Sequence, residues 1–282
     1  MEKITIKSPS GIFSGNLINN VNTFYGIPYA KSCAENNRWH APKKLEPNHN
    51  HLESTRGSSA YQTVVNKSFM FDPTIPDPSE DCLNLNIASP KDASNLPVMI
   101  WIHGGAFLTG SANGALYNMD TLAFKGVILV NINYRLGPLG FLKLDEVTNG
   151  LIPSTGNEGL LDQRLAIQWV KENIEAFGGN PENITIFGES AGAWSCALQV
   201  GMGIQGDFQK VICQSGGGDA TRTIDSANQW GEIFISKCRD NNISIKDLLS
   251  TPPEKLIAVA KLMRHMELSD GSSWVMPEVG FA

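Results

Sequence analysis

Apolar and polar positions change their period along the chain, and each change marks an element. The stretch ITIKSPSGIFSG (residues 4–15) alternates on both sides of a Pro-Ser-Gly turn, which predicts a β-hairpin. Residues 31–80 are rich in Asn, His, Ser and Pro and read as a long surface excursion. From Leu83 the texture becomes short runs of Ile and Val: LNLNIASP, PVMIWIH and VILVNINY. Continuous apolar strands of this kind suit a sheet covered by helices on both faces.

A helical period follows in NEGLLDQRLAIQWVKENIEAFGG. Leu161, Leu165 and Trp169 fall at four-residue steps, and Val170, Ile174 and Phe177 widen the stripe. Asn157 is expected to cap this helix, Glu158 favours its first turn, and Gly178-Gly179 end it. Residues 183–187 then predict a strand, a helix starts near Ser190, and FQKVICQSG predicts one more strand. From Asp225 the pattern is helical with a break at Pro252-Pro253, after which TPPEKLIAVAKLM opens a helix. Strands and helices in alternation mean an α/β protein with a mostly parallel central sheet flanked by helices.

Composition narrows the function. A chain of 282 residues can bury a substantial core, and 41% hydrophobic residues with a mean hydropathy of −0.14 suit a soluble globular protein. A net charge of −6 argues against a nucleic-acid partner, which calls for clustered Lys and Arg. No apolar run reaches the roughly 18 residues of a membrane span, so no membrane partner is expected. The opening MEKITIKSPSG lacks a signal-peptide core, and the expected location is cytoplasmic. The five cysteines (Cys33, Cys82, Cys196, Cys213, Cys238) are scattered and odd in number, which fits reduced thiols and neither a zinc site nor a disulfide framework. Cys196 and Cys213 sit in apolar surroundings and read as small core residues.

The chemistry concentrates in ITIFGESAG (residues 184–192). A G-x-S-x-G between a strand and a helix is a nucleophile elbow. Gly188 and Gly192 keep side chains out of a tight turn, and Ser190 is displayed at a helix N-terminus where developing negative charge is favoured. Upstream, His103-Gly104-Gly105-Ala106-Phe107 follows directly on a strand, as an oxyanion loop does. Small residues there let backbone N–H groups approach the oxygen of a tetrahedral intermediate, at about 2.7–4 kcal/mol per donor. His103 reads as a histidine bracing that loop, because in this architecture the base comes last in the chain. Phe107 and Trp194 read either as site walls or as core.

These blocks, with FYGIPYAK, SEDCLNLNI, NYRLGPLGF and FQKVICQSGG in the same order, resemble the type-B carboxylesterases, an α/β-hydrolase family. The resemblance covers residues 1 to about 220. It implies an ester hydrolase acting on a small-molecule carboxylic ester through a serine acyl-enzyme, with no metal and no organic cofactor. It makes Ser190 the nucleophile and assigns the oxyanion hole to the amides of Gly105, Ala106 and Ala191, with Gly104 giving the loop room. It implies buried ion pairs Arg135–Asp162 and Arg38–Glu80, and groups behind the site at Glu189 and Ser215. Secreted members bridge the cysteine matching Cys82 to one a short loop upstream, where this chain has none. Cholinesterases place a choline-stacking tryptophan where this chain has Asp72, which argues against acetylcholine.

In the family the acid and the histidine lie well downstream of the elbow, in a chain nearly twice as long. Here His265 alone follows Ser190 among the histidines, and it reads as a solvent-facing helix-end residue. The expectation is therefore that residues 1–282 are the N-terminal portion of a single α/β-hydrolase domain, lacking C-terminal strands and the acid and histidine of the triad. The missing C-terminal half is then a candidate partner, and the sheet edge it would cover should be bare. Two readings stand beside this one: a truncated, inactive esterase-like fragment, and a binding or adhesion relative.

Overall fold

The computed structural model describes residues 2–62, 74–203, 206–219, 221–263, 266, 268, 270 and 271. Asp72 and His265, both singled out above, lie outside these residues.

The N-terminal alternation forms a ribbon of β1 (Glu2–Ser8), β2 (Gly11–Ile18) and β3 (Val21–Pro28), joined by two-residue turns. Such short links force antiparallel pairing. Next come β4 (Asn48–Leu52), β5 (Asn84–Pro90), β6 (Leu96–Ile102), the short helix α1 (Asp120–Ala123) and β7 (Ile128–Ile132). They are followed by α2 (Pro138–Phe141), α3 (Glu158–Asn173), β8 (Gly179–Glu189), α4 (Ala191–Gly201), β9 (Lys210–Gln214), α5 (Ile224–Asp240) and α6 (Pro253–Lys261).

The sheet runs β1-β2-β3-β5-β7-β6-β8-β9, with β4 on β2. It is mixed. The side from β7 through β6 and β8 to β9 is parallel, because helices carry the chain back between strands. The side from β1 to β7 is antiparallel along its path. Ile100, Ile102, Val130, Ile132, Ile184 and Ile186 are buried in the main core, against Leu160, Ile167 and Val170 of α3. A second cluster joins Trp39, Leu139, Trp230, Phe234, Leu256 and Met263, and seats α5 and α6.

Four expectations need correction. Residues 31–80 are no mere surface excursion, since Cys33, Arg38, Trp39 and Ala60 in this stretch are buried. Arg38 pairs with Glu80 at 2.6 Å and donates to the carbonyls of Leu248 (2.8 Å) and Thr251 (2.7 Å), which ties this segment to the C-terminal helices. The face of α3 is wider than the stripe of Leu161 and Leu165, which are half-buried; Leu160, Gln163, Ala166 and Ile167 are buried because the sheet and α4 both cover the helix. Asn157 stands at the cap position without a side-chain cap bond; Glu158 instead accepts from the N–H groups of Thr155 (2.7 Å) and Gly156 (3.1 Å).

The fourth correction is Cys213. Cys196 is buried in α4, but Cys213 is exposed on β9. The apolar run around it reads as a core strand, yet β9 ends the sheet and pairs only with β8 among the described residues. All five cysteines are free thiols.

Candidate active site

The elbow forms where β8 ends. Ile184 and Ile186 bury one side of the strand, and at Ser190 the backbone turns to φ 56° and ψ −123° before α4 begins. A non-glycine residue in such a conformation is strained and persists only where its surroundings enforce it. Here they do. The Ser190 N–H donates to the Gln214 carbonyl of β9 at 2.9 Å, and its carbonyl accepts from Ala193 (2.9 Å) and Trp194 (3.0 Å) of α4.

The glycines of the motif have a visible cause. A Cβ on Gly188 would stand 2.5 Å from the Gly192 carbonyl carbon and 2.7 Å from the Ile102 oxygen, and one on Gly192 would overlap that same oxygen. The first turn of α4 therefore lies directly on the end of β6, and only hydrogen fits between them.

β6 continues into the loop of residues 103–110, which comes alongside the serine. A Cβ on Gly104 would stand 2.6 Å from the Glu189 carbonyl oxygen and 3.3 Å from the Ser190 Cβ. Gly105, Ala106 and Phe107 then take φ values of 113°, 54° and 58°, curling the backbone so that Leu108 and Thr109 both donate to the Gly105 carbonyl at 3.0 Å. Among the described residues, neither the Gly105 nor the Ala106 N–H donates to another protein group. Ala106 is exposed and Ala191 is buried at the first position of α4.

His103 is 1% exposed and its ring stacks on Tyr134 with centroids 4.4 Å apart. Its Nδ1 lies 2.8 Å from the Gly104 carbonyl, which can only accept, so this nitrogen carries the proton. The Tyr134 hydroxyl donates to the His103 carbonyl at 2.7 Å. Burial lowers the pKa of His103 to about 4, against a smaller opposing effect of the Gly104 bond, so the ring is neutral at pH 7.

The two ion pairs stand where the motifs put them. Arg135 and Asp162 form a bidentate pair at 2.8 and 2.7 Å, and Asp162 also accepts from the Arg135 N–H at 3.0 Å. Glu189 and Ser215 are exposed beside the elbow, and Ser215 follows β9 at φ 56°. Phe107 is buried against Phe141, while half-buried Trp194 stacks beyond it at 6.3 Å. Phe107 is thus core, and Trp194 lies nearer the surface.

Sequence reasoning missed two contributors. Gln214 supplies the carbonyl that holds the serine N–H. Gly216 lets the turn after β9 close on α4, since a Cβ there would meet Ala193 and the Ser190 carbonyl at 2.9 Å. The glycine run after Gln214 was the available signal. Of the histidines, His40 Nδ1 lies 3.1 Å from the Arg38 carbonyl and His51 Nε2 lies 2.6 Å from the Ser14 hydroxyl. Neither of these bonds, nor that of His103, reaches Ser190. His265 lies outside the described residues.

The sequence model of the Carboxylesterase family matches residues 2–275. The para-nitrobenzyl esterase of Bacillus subtilis is 40% identical over 260 residues, which cover 91% of this chain and 52% of that protein. Acetylcholinesterase 4 of Caenorhabditis briggsae is 37% identical over 90% of this chain and 44% of its own length. Among solved structures, a thermophilic pNB esterase superposes with a TM-score of 0.86 at 35% identity, covering 98% of this chain and 57% of that one. The chain spans about half the length of the curated relatives it matches.

Proposed function

This chain belongs to the carboxylesterase family and has its α/β-hydrolase fold, and we propose that it carries the nucleophile side of a serine ester-hydrolysis site. One observation carries the reading: Ser190 sits strained at the head of α4 with the Gly104 backbone against its Cβ. The Ser190 hydroxyl attacks the carbonyl carbon of a small-molecule carboxylic ester. The amides of Gly105, Ala106 and Ala191 hold the oxyanion, the alcohol leaves, and water releases the acid from the acyl-enzyme. Gly188 and Gly192 keep the turn tight, and Glu189 and Ser215 stand behind the triad.

The acid and histidine come from sequence beyond this chain, whose residues 1–282 form the N-terminal portion of one domain. Half-length coverage of the relatives and the bare β9 edge support that reading. The remaining half is then the partner, and the protein works in the cytoplasm.

A second reading, an inactive fragment, is favoured by the bonds that occupy His40, His51 and His103 away from Ser190. The first test treats the chain with a fluorophosphonate probe and short p-nitrophenyl esters, with and without the complementary half. Removing the histidine of a serine hydrolase costs about 10⁶ in turnover, so the chain alone should be nearly inactive. Complementation should restore turnover and label Ser190, and Ser190→Ala should abolish both. Turnover that survives Ser190→Ala defeats the assignment; no labelling in a folded, complemented protein leaves the inactive fragment.

A further inference from the structure

We infer that Gln62 is a positioning residue for the oxyanion loop, an inference that rests on the Ser190 reading above. The loop is held from below by the interior: Tyr134 grips the His103 carbonyl, and the Gly137 N–H donates to the Phe107 carbonyl at 2.7 Å. Its far end is held differently. The Gln62 Oε1 accepts from the Gly110 N–H at 3.0 Å, and the Gln62 Nε2 donates to the Gly110 carbonyl at 3.1 Å. One primary amide thus satisfies both backbone groups of one residue, as a neighbouring strand would. Gln62 is half-buried, lies on the irregular segment before β5, and stands 48 residues away in sequence.

The grip is transmitted by contact. Gly110 sits at φ 111° and has no room for a side chain: a Cβ would stand 2.5 Å from His103 Nδ1 and 2.7 Å from the Gly104 carbonyl. Gly104 in turn backs onto Ser190. Holding Gly110 therefore presses the His103–Gly104 peptide toward the serine and fixes the curl that carries the Gly105 and Ala106 amides. Gln62 touches no reacting atom. It acts through Gly110.

Phenylboronic acid tests this without a histidine. Its boron takes an electron pair from Ser190 Oγ, forms a B–O bond as the hydroxyl proton passes to solvent, and becomes a tetrahedral anion visible by boron NMR. In the whole chain, Gln62→Ala should weaken boronate binding by about 10- to 100-fold, the scale of a small misplacement in a site. Gln62→Glu keeps the acceptor and loses the donor, so it should fall between Gln62→Ala and the wild type. Hydrogen exchange should quicken in residues 103–113 of Gln62→Ala and stay unchanged in α3. Unchanged exchange in 103–113 overturns the tether. Faster exchange with unchanged boronate affinity overturns its role in positioning the amides. If the wild type shows no tetrahedral boron, the Ser190 reading fails instead, and the exchange measurement still decides whether Gln62 holds the loop.

Discussion

β7 and β9 are both five-residue strands of one sheet, and their surroundings are opposite. Every residue of β7 is buried, between β5 and β6. In β9 only Val211 is half-buried and the other four residues are exposed, Ile212 by 43%. Both were legible as strands from their apolar texture, so the difference comes from their neighbours. The elbow sits between the two regimes. Gly192 rests on the end of β6, deep in the covered part, whereas the Ser190 N–H is held by the last carbonyl of the bare strand. Ser190 therefore has one rigid support and one that depends on whatever lies beside β9.

The contrast can be broken from either side. The largest effect is expected from Val130→Lys in β7, which buries a charge with no partner. That costs on the order of 5 kcal/mol, comparable with the whole stability of a domain. Soluble expression and a urea melt would check it, and a cooperative melt near the wild-type midpoint would refute the sealed interior.

Next in size is a pH effect from the covered side. The unfolded chain protonates His103 near its ordinary value of 6.5, and the folded chain only near 4. Between these values the unfolded state binds more protons, so stability is full above the upper one and falls as pH drops toward the lower, by about 3 kcal/mol in total. Urea melts between about pH 7.5 and 4.5 should show this fall, and His103→Gln should flatten it. An equal slope in the variant would place the acid sensitivity elsewhere.

The smallest effect belongs to the edge. Ile212→Lys should change stability by no more than about 0.5 kcal/mol, as exposed substitutions do. It should also lower light scattering on heating, because a charge on an open strand hinders edge-to-edge pairing. A loss well beyond that size would mean that β9 is covered in solution.

The parts of the molecule that local sterics dictate could be read from the chain. Gly188 and Gly192 announce a tight turn by their spacing around Ser190, even though the oxygen they make room for lies on β6, and Ile128 to Ile132 announce a strand by texture alone. What failed depends on contacts distant in sequence. Cys213 looked like core because nothing nearby says that its strand is last. Trp39 is buried inside a polar stretch by partners as distant as Trp230 and Leu256, and Arg38 reaches Leu248 and Thr251, more than two hundred residues later. Asn157 makes no side-chain cap bond, and the turn before α3 instead folds back onto the Glu158 carboxylate, a contact the cap rule does not foresee. The grip of Gln62 on Gly110 has no periodic signature at all.

The far side of the 103–110 loop has one more property. Beyond Gly110, Ser111 donates to the Asn133 side chain at 3.1 Å, and the Ala112 N–H donates to it at 2.7 Å. Asn86 donates to the Ala112 carbonyl at 3.0 Å and to Asn113 at 2.9 Å, and Asn113 donates to Asn84 at 2.9 Å. These groups are amides and a hydroxyl, none carrying a full charge. Dissolved ions therefore have nothing there to shield, and the loop should keep its shape in brine as in dilute buffer.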